Sequence, residues 1–236
     1  MSDNRRLFSL IALLALGLPL GAGAQQQCKI QKGDLTVPHI SQPDHVNNRK
    51  GDYLLLSLSW SPSFCTTPAG QAPGNKFQCQ ENSFGFVVHG LWPETANAKN
   101  VNDHPRNCTP TTLIKPATLK QNLCTIPGVQ LMQDEWAKHG TCAFKTPEEY
   151  FGEIHKVVGA LHIPDVTSLN TVGAVVKAFV GANKGLTAED VQVQLGKGAS
   201  LVEVHVCYSN SLEFHACEPG ASETDQTPIK VTPKAK

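Results

Sequence analysis

Two histidines fifty residues apart, each followed by glycine, are the side chains best placed to do chemistry in this sequence. His89 lies in Phe84-Gly85-Phe86-Val87-Val88-His89-Gly90-Leu91-Trp92-Pro93. His139 lies in Asp134-Glu135-Trp136-Ala137-Lys138-His139-Gly140-Thr141-Cys142. The second segment sets a carboxylate, Glu135, and an ammonium, Lys138, beside its imidazole. One neutral imidazole can remove a proton while a charged one delivers a proton elsewhere, and fixed charges can meet a developing oxyanion. That is the equipment for breaking a phosphodiester, provided the fold brings the two segments together.

Hydrophobic periodicity outlines the scaffold that must do so. Residues 53–60 read as a strand, with Leu54, Leu56, Leu58 and Trp60 on one face and Ser57 and Ser59 on the other. A second strand over about 83–89 turns Phe84, Phe86 and Val88 to the core and His89 to the opposite face. Helical patterns cover about 111–123 and 128–139, with Gly140 placed as a stop after the latter. Thr146-Pro147-Glu148-Glu149 is a capping box, and the helix it opens carries Tyr150, Phe151, Ile154, Val157, Val158 and Leu161 on one face. Val172, Val175, Val176, Phe179 and Val180 predict a helix over 168–181. The period then returns to two, predicting strands at 191–195 and 201–208 joined at Gly196-Lys197-Gly198, and a short one at 212–215. Breakers mark loops over 61–82 and 93–110. Strands, then helices, then strands favour an α+β fold over a wound parallel sheet.

Composition narrows the function classes. The 236 residues carry 20 basic and 20 acidic side chains. Without a basic surplus, the chain does not look like a general duplex binder, and any nucleic-acid contact must be local to a cleft. Arg5-Arg6, the apolar run 7–20 and Ala22-Gly23-Ala24 read as a secretory signal peptide over 1–24. No later run is long and apolar enough to span a bilayer, so no membrane association is expected after cleavage. Residues 25–50 look like an extended N-terminal segment, 51–217 like the catalytic domain and 218–236 like a flexible polar tail. Eight cysteines, at 28, 65, 79, 108, 124, 142, 207 and 217, follow the leader, which argues for four disulfides in an oxidising compartment. Their pairing is open at this point. No C-x-x-C pair supports structural zinc.

Each histidine has a blander alternative. On a helix, Glu135, Lys138 and His139 share a face, and E-x-x-K-H can simply be a solvated ion pair. The helix dipole and Glu135 are expected to raise the His139 pKa, with Lys138 opposing. His89 can be a satisfied strand-end histidine, although Gly90 permits close backbone approach and Trp92 offers a flat surface on which a base could stack. A buried structural tryptophan is the alternative for Trp92. Histidines 39, 45, 104, 155, 162, 205 and 215 receive no functional role, and His205 is noted only as sharing a strand face with Glu203 and Cys207.

Taken together, the segments resemble the two active-site segments of the ribonuclease T2 family of secreted acid ribonucleases. Leu58 to Cys65 is similar to the family's opening strand and first cysteine, and Leu201 to Cys207 to a late strand ending in cysteine. The resemblance implies an α+β fold with a central antiparallel sheet, helices beside it and disulfide stabilisation. It implies a cofactor-free, metal-independent endoribonuclease of low base specificity that cleaves single-stranded RNA through a 2′,3′-cyclic phosphate to 3′-phosphate ends. His139 would take the 2′-hydroxyl proton, His89 would protonate the leaving 5′ oxygen, and Glu135 and Lys138 would stabilise or orient the phosphate. Trp92 would stack on a base and Glu94 would accept a hydrogen bond from it. The resemblance also implies Cys65–Cys79, Cys108–Cys142 and Cys207–Cys217, which leaves Cys28 and Cys124 for each other. Asp134 stands where many members have a further histidine, which casts doubt on phosphate binding at that position. DNA lacks the nucleophile and should be inert. A secreted or periplasmic monomer is expected.

Two rivals make different predictions. A metal-dependent phosphoesterase built on His89, Glu135 and His139 would lose activity in chelator. A secreted RNA-binding protein without turnover would be indifferent to loss of either histidine.

Overall fold

The computed structural model describes residues 28–30, 35–218 and 224–234. The expected leader lies outside the described residues. Four strands, β1 (Tyr53–Trp60), β2 (Phe86–Glu94), β3 (Val191–Gly196) and β4 (Ser200–Tyr208), form one antiparallel sheet in the order β2-β1-β4-β3. Between β1 and β2 lie two single turns, α1 (Ser61–Phe64) and α2 (Lys76–Cys79). Then come α3 (Pro116–Asn122), α4 (Val129–Glu135), a π-helical turn at Trp136–Gly140, α5 (Thr141–Ala143), α6 (Pro147–Ala160) and α7 (Val172–Ala182). The fold is α+β, with its helices packed beside an antiparallel sheet.

Alternation gives the sheet two unlike faces. Leu54, Leu56, Leu58 and Trp60 of β1 join Phe86, Val88 and Leu91 of β2 and Val204 and Val206 of β4 in the core. The apolar faces of α6 and α7 cover them, through Tyr150, Phe151, Ile154, Val175 and Phe179 among others. The opposite face is polar toward its middle. There Ser57 pairs with Gly90 on one side and His205 on the other, and Ser59 with Val87 and Glu203. The small β1 serines form the floor between two strands that carry long polar side chains.

Four disulfides close the chain: Cys28–Cys124, Cys65–Cys79, Cys108–Cys142 and Cys207–Cys217. The second staples α1 to α2. The third ties the loop after β2 to α5.

Several boundaries differ from expectation for identifiable reasons. The helix expected from 111 starts at Pro116, because a residue before proline is forced out of the helical region and Lys115 is extended at ψ 138°. α7 starts at Val172, where the Thr171 side chain accepts from the Ala174 N–H and caps the helix. Of the capping box at 146–149, the forward half is made, Thr146 accepting from the Glu149 N–H, while Glu149 accepts instead from the Lys145 N–H. Gly140 does not stop its helix. Its backbone is helical (φ −58°, ψ −42°) and the chain turns on to Ala143. A Cβ there would lie 2.3 Å from the Trp136 ring, so glycine serves close packing.

The expected flexible tail is also corrected for residues 224–234. Ile229 is buried, the Leu201 N–H donates to the Lys230 carbonyl, and the Trp60 indole N–H donates to the Thr232 carbonyl. Two apolar side chains, Ile229 and the partly buried Val231, and a run of backbone hydrogen bonds hold a segment whose composition is otherwise polar.

Candidate active site

A β-bulge places the first histidine. β1 pairs Ser57 with Gly90 and Leu58 with Val88, so His89 is an extra residue on β2. Val88 and Leu91 therefore both face the core, while His89 and Gly90 both fall on the polar face. The His89 ring is about one-third exposed. Its Nδ1 lies 2.7 Å from Glu203 Oε1, and its Nε2 lies 3.5 Å from Glu135 Oε1. Burial alone would lower its pKa, but the hydrogen bond to Glu203 and the charge of Glu135 outweigh burial and raise it.

Glu135 ends α4, where the helix widens into the π turn. Such turns re-aim the side chains that follow. Its carboxylate is buried and accepts from the Trp92 indole N–H at 2.6 Å. Burial raises its pKa, against the lowering pull of His89 and the Trp92 bond. Gly90 makes the contact possible. A Cβ at that position would sit 2.1 Å from Glu135 Oε2 and 2.3 Å from Trp92 Nε1.

Trp92 stands between three imidazoles. His139 stacks on it at 5.2 Å between centroids and 29°, while His89 and His205 meet it edge-on at 5.1 and 5.6 Å. One indole face is thus covered by His139. The indole also stands between the two motif histidines.

His139 follows Lys138 on the π turn. Its pKa is lowered well below the ordinary value, first by burial and then by the charges of Lys138 and Arg106. The expectation that dipole and Glu135 would raise it is corrected. The helix continues past His139, so no helix terminus lies there, and Glu135 has turned to Trp92. The His139 Nδ1 is buried and without a hydrogen-bond partner among the described residues.

His89, Trp92, Glu94, Glu135, Lys138 and His139 all line one cleft of about 800 Å³. Glu94 is engaged there, 2.5 Å from His104 Nδ1. Asp134 is not in the cleft wall. It accepts from the Ser41 hydroxyl at 2.8 Å and from the Gln130 amide at 2.9 Å, so the N-terminal segment holds its charge away.

Composition and pattern missed three cleft residues, His104, Arg106 and His205, and a fourth, Glu203, that contacts His89 from the adjoining groove. His104 and Arg106 arrive on the loop stapled by Cys108–Cys142. Arg106 is buried and ion-paired to Asp44 at 2.8 Å. Glu203 and His205 arrive from β4, where His205 Nε2 lies 3.0 Å from Glu203 Oε2. Alternation put Glu203 and His205 on one strand face, but only the strand order puts that face beside His89. Among the described residues, no three histidine, cysteine, aspartate or glutamate side chains are grouped to hold a metal ion. No described helix is long and apolar enough to cross a membrane.

Residues 51–217 match the ribonuclease T2 family. The chain belongs to the ribonuclease T2 family. Over 136 residues it is 43% identical to a probable ribonuclease of Haemophilus influenzae, a stretch covering 53% of this chain and 50% of that one. The chain spans about half the length of the first curated relatives it matches. Two solved structures share the fold. An RNase-related protein from Calystegia sepium superposes with a TM-score of 0.62 at 22% identity, over 79% of this chain and 98% of that one. RNase NT in complex with 5′-AMP superposes with a TM-score of 0.56 at 19% identity, over 79% and 100%. Both histidine segments, 84–93 and 134–142, fall inside the matched stretch of this T2-family chain.

Proposed function

We propose that this protein is a secreted or periplasmic endoribonuclease that cleaves single-stranded RNA without a metal or cofactor. The observation that carries the reading is two imidazoles in one cleft with pKa values moved in opposite directions: burial and neighbouring cations lower that of His139, and the contacts with Glu203 and Glu135 raise that of His89. A base and an acid poised this way suit in-line transfer at one phosphate.

In this mechanism the neutral His139 takes the proton of the 2′-hydroxyl, whose oxygen attacks the adjacent phosphorus. With Nδ1 buried, Nε2 is the ring nitrogen left for substrate. His89 gives its proton to the 5′ oxygen as the phosphorus–oxygen bond breaks, leaving a 2′,3′-cyclic phosphate. Water then opens the ring to a 3′-phosphate with the histidine roles reversed. Lys138 supplies positive charge for the phosphorane oxygens, and Glu135, buried and bonded to Trp92, orients the transferred group. Membership of the T2 family supports this chemistry, and the nucleotide in the RNase NT complex is a ligand of the proposed class. Low base specificity fits a cleft in which Trp92 is stacked by His139 and Glu94 is engaged by His104.

The test compares single-stranded RNA with its 2′-deoxy counterpart, using the oxidised protein and its His89→Ala and His139→Ala variants. RNA alone should be cleaved, and each variant should lose roughly a hundred- to ten-thousandfold in rate. Retention of the rate in either variant removes that histidine from the mechanism.

A further inference from the structure

Glu203 lies outside both active-site segments, yet it touches the acid directly. Its Oε1 is 2.7 Å from His89 Nδ1 and its Oε2 is 3.0 Å from His205 Nε2, so both carboxylate oxygens are committed to imidazoles. We infer that Glu203, held by His205, is a positioning residue that fixes the ring orientation and tautomer of His89 so that Nε2 faces the substrate. The inference rests on the nuclease reading above and names a residue that acts through the acid.

The sheet explains how the contact arises. Glu203 is on β4 and His89 on β2, with β1 between them, a separation of about 10 Å across two strand spacings. A glutamate can cross that distance only over small neighbours. β1 presents Ser57 and Ser59 on this face, the cross-strand partners of His205 and Glu203. The bulge completes the arrangement from the other side by adding His89 to the same face. Serine spacing, bulge and glutamate length therefore converge on a single hydrogen bond.

A carboxylate on Nδ1 has a defined chemical consequence. Nδ1 must carry a proton to donate to Glu203, so the neutral ring keeps its lone pair on Nε2. When the acid step occurs, the Nε2 proton leaves with the 5′ oxygen as the phosphorus–oxygen bond breaks, and the Nδ1 proton stays. The ring is then left in the tautomer that can accept a proton from water in the hydrolysis step. The other charged or titratable groups facing His89 are Glu135, Lys138 and His139 from α4 and its π turn, and His205 from β4. β1 contributes only the serines. Lys197 and Asp134 line the groove on the far side of His89, where Asp134 is bonded to Ser41 and Gln130. Glu135 pairs with Nε2, the atom that must reach substrate, so Glu203 alone holds Nδ1.

The decisive comparison is Glu203→Gln on two substrates, a ribodinucleotide and uridine 3′-(4-nitrophenyl phosphate). The aryl ester has a leaving group that needs little protonation, so it bypasses the acid but still needs His139. Positioning predicts a kcat/KM loss of roughly tenfold or more on the dinucleotide, a much smaller loss on the ester, and an alkaline limb moved to lower pH. Equal losses on both substrates with an unmoved alkaline limb would overturn the inference and leave Glu203 a structural ion pair. If the unsubstituted protein cleaves neither substrate, the nuclease reading has failed, and this inference with it. Nitrogen NMR of the unsubstituted protein gives a second test that does not depend on how the variant folds. It should find Nδ1 of neutral His89 protonated, and a proton on Nε2 instead would overturn the proposal.

Discussion

Replacing Gly90 by alanine adds one carbon, and the structure says where it must go. The new Cβ would lie 2.1 Å from Glu135 Oε2 and 2.3 Å from Trp92 Nε1, the two atoms that make the 2.6 Å hydrogen bond across the site. Gly90 does not have a positive φ, so alanine brings no backbone strain and the effect is the collision alone. Both neighbours are hemmed in. Glu135 is buried, and Trp92 is stacked against His139, so the bond must break or the indole must push into the His139 ring. A hydrogen bond to a buried charged group contributes about 1.5–3 kcal/mol. If the geometry is needed in the transition state, the same energy is worth roughly ten- to a hundredfold in rate. The assay is kcat/KM on a ribodinucleotide, alongside urea unfolding of the oxidised protein. Gly90→Ala should lose both activity and stability by these amounts. Unchanged activity and stability would show that the Glu135–Trp92 bond is not maintained in solution, and the account of how the two segments interlock would fail.

Two further predictions concern pH and the covalent frame. In the proposed mechanism His139 works neutral, and its pKa is depressed, so rate should be lost only as pH falls through that lowered value; His89 works protonated, and its pKa is raised, so rate should be lost as pH rises through that higher value. The limbs should therefore flank the ordinary imidazole value of about 6.5, and a rate that climbs steadily into alkaline solution would contradict the assignment. The Cys108–Cys142 bridge closes a span of 34 residues, and replacing both cysteines by serine should cost about 4 kcal/mol by loop-closure entropy. Non-reducing urea melts measure that cost; a loss under 1 kcal/mol, well below that estimate, would mean the loop carrying His104 and Arg106 is held by other contacts.

The sequence revealed those parts of the site whose causes are local. The extent of β1 follows from a strict two-residue period, and it is Tyr53–Trp60 in the structure. The polar second face was visible in Ser57 and Ser59. What could not be read were features set by register and strand order. The bulge at His89 shows only when β2 is laid against β1, and it carries the strand on to Glu94, five residues past its expected end at 89. Alternation alone puts Glu203 and His205 on one strand face, but nothing local says that β4 lies next to β1. The internal contacts of Trp92 were not legible either: its Nε1 bonds Glu135 and one ring face stacks on His139, both set by how the two segments meet. At the C-terminal end, Ile229 and Val231 and a backbone pairing with residues 199–201 outweigh a composition that reads as tail.

In the proposed reaction the attacking group is a hydroxyl of the substrate itself, activated by His139 while His89 releases the neighbouring oxygen. The most direct measurement is end-group analysis of RNA fragments produced by the oxidised protein in excess chelator. The predicted fragments carry 2′,3′-cyclic phosphates, passing later to 3′-phosphates, with free 5′-hydroxyls on the other side of each cut. Fragments bearing 5′-phosphates, or cleavage abolished by the chelator, would contradict it.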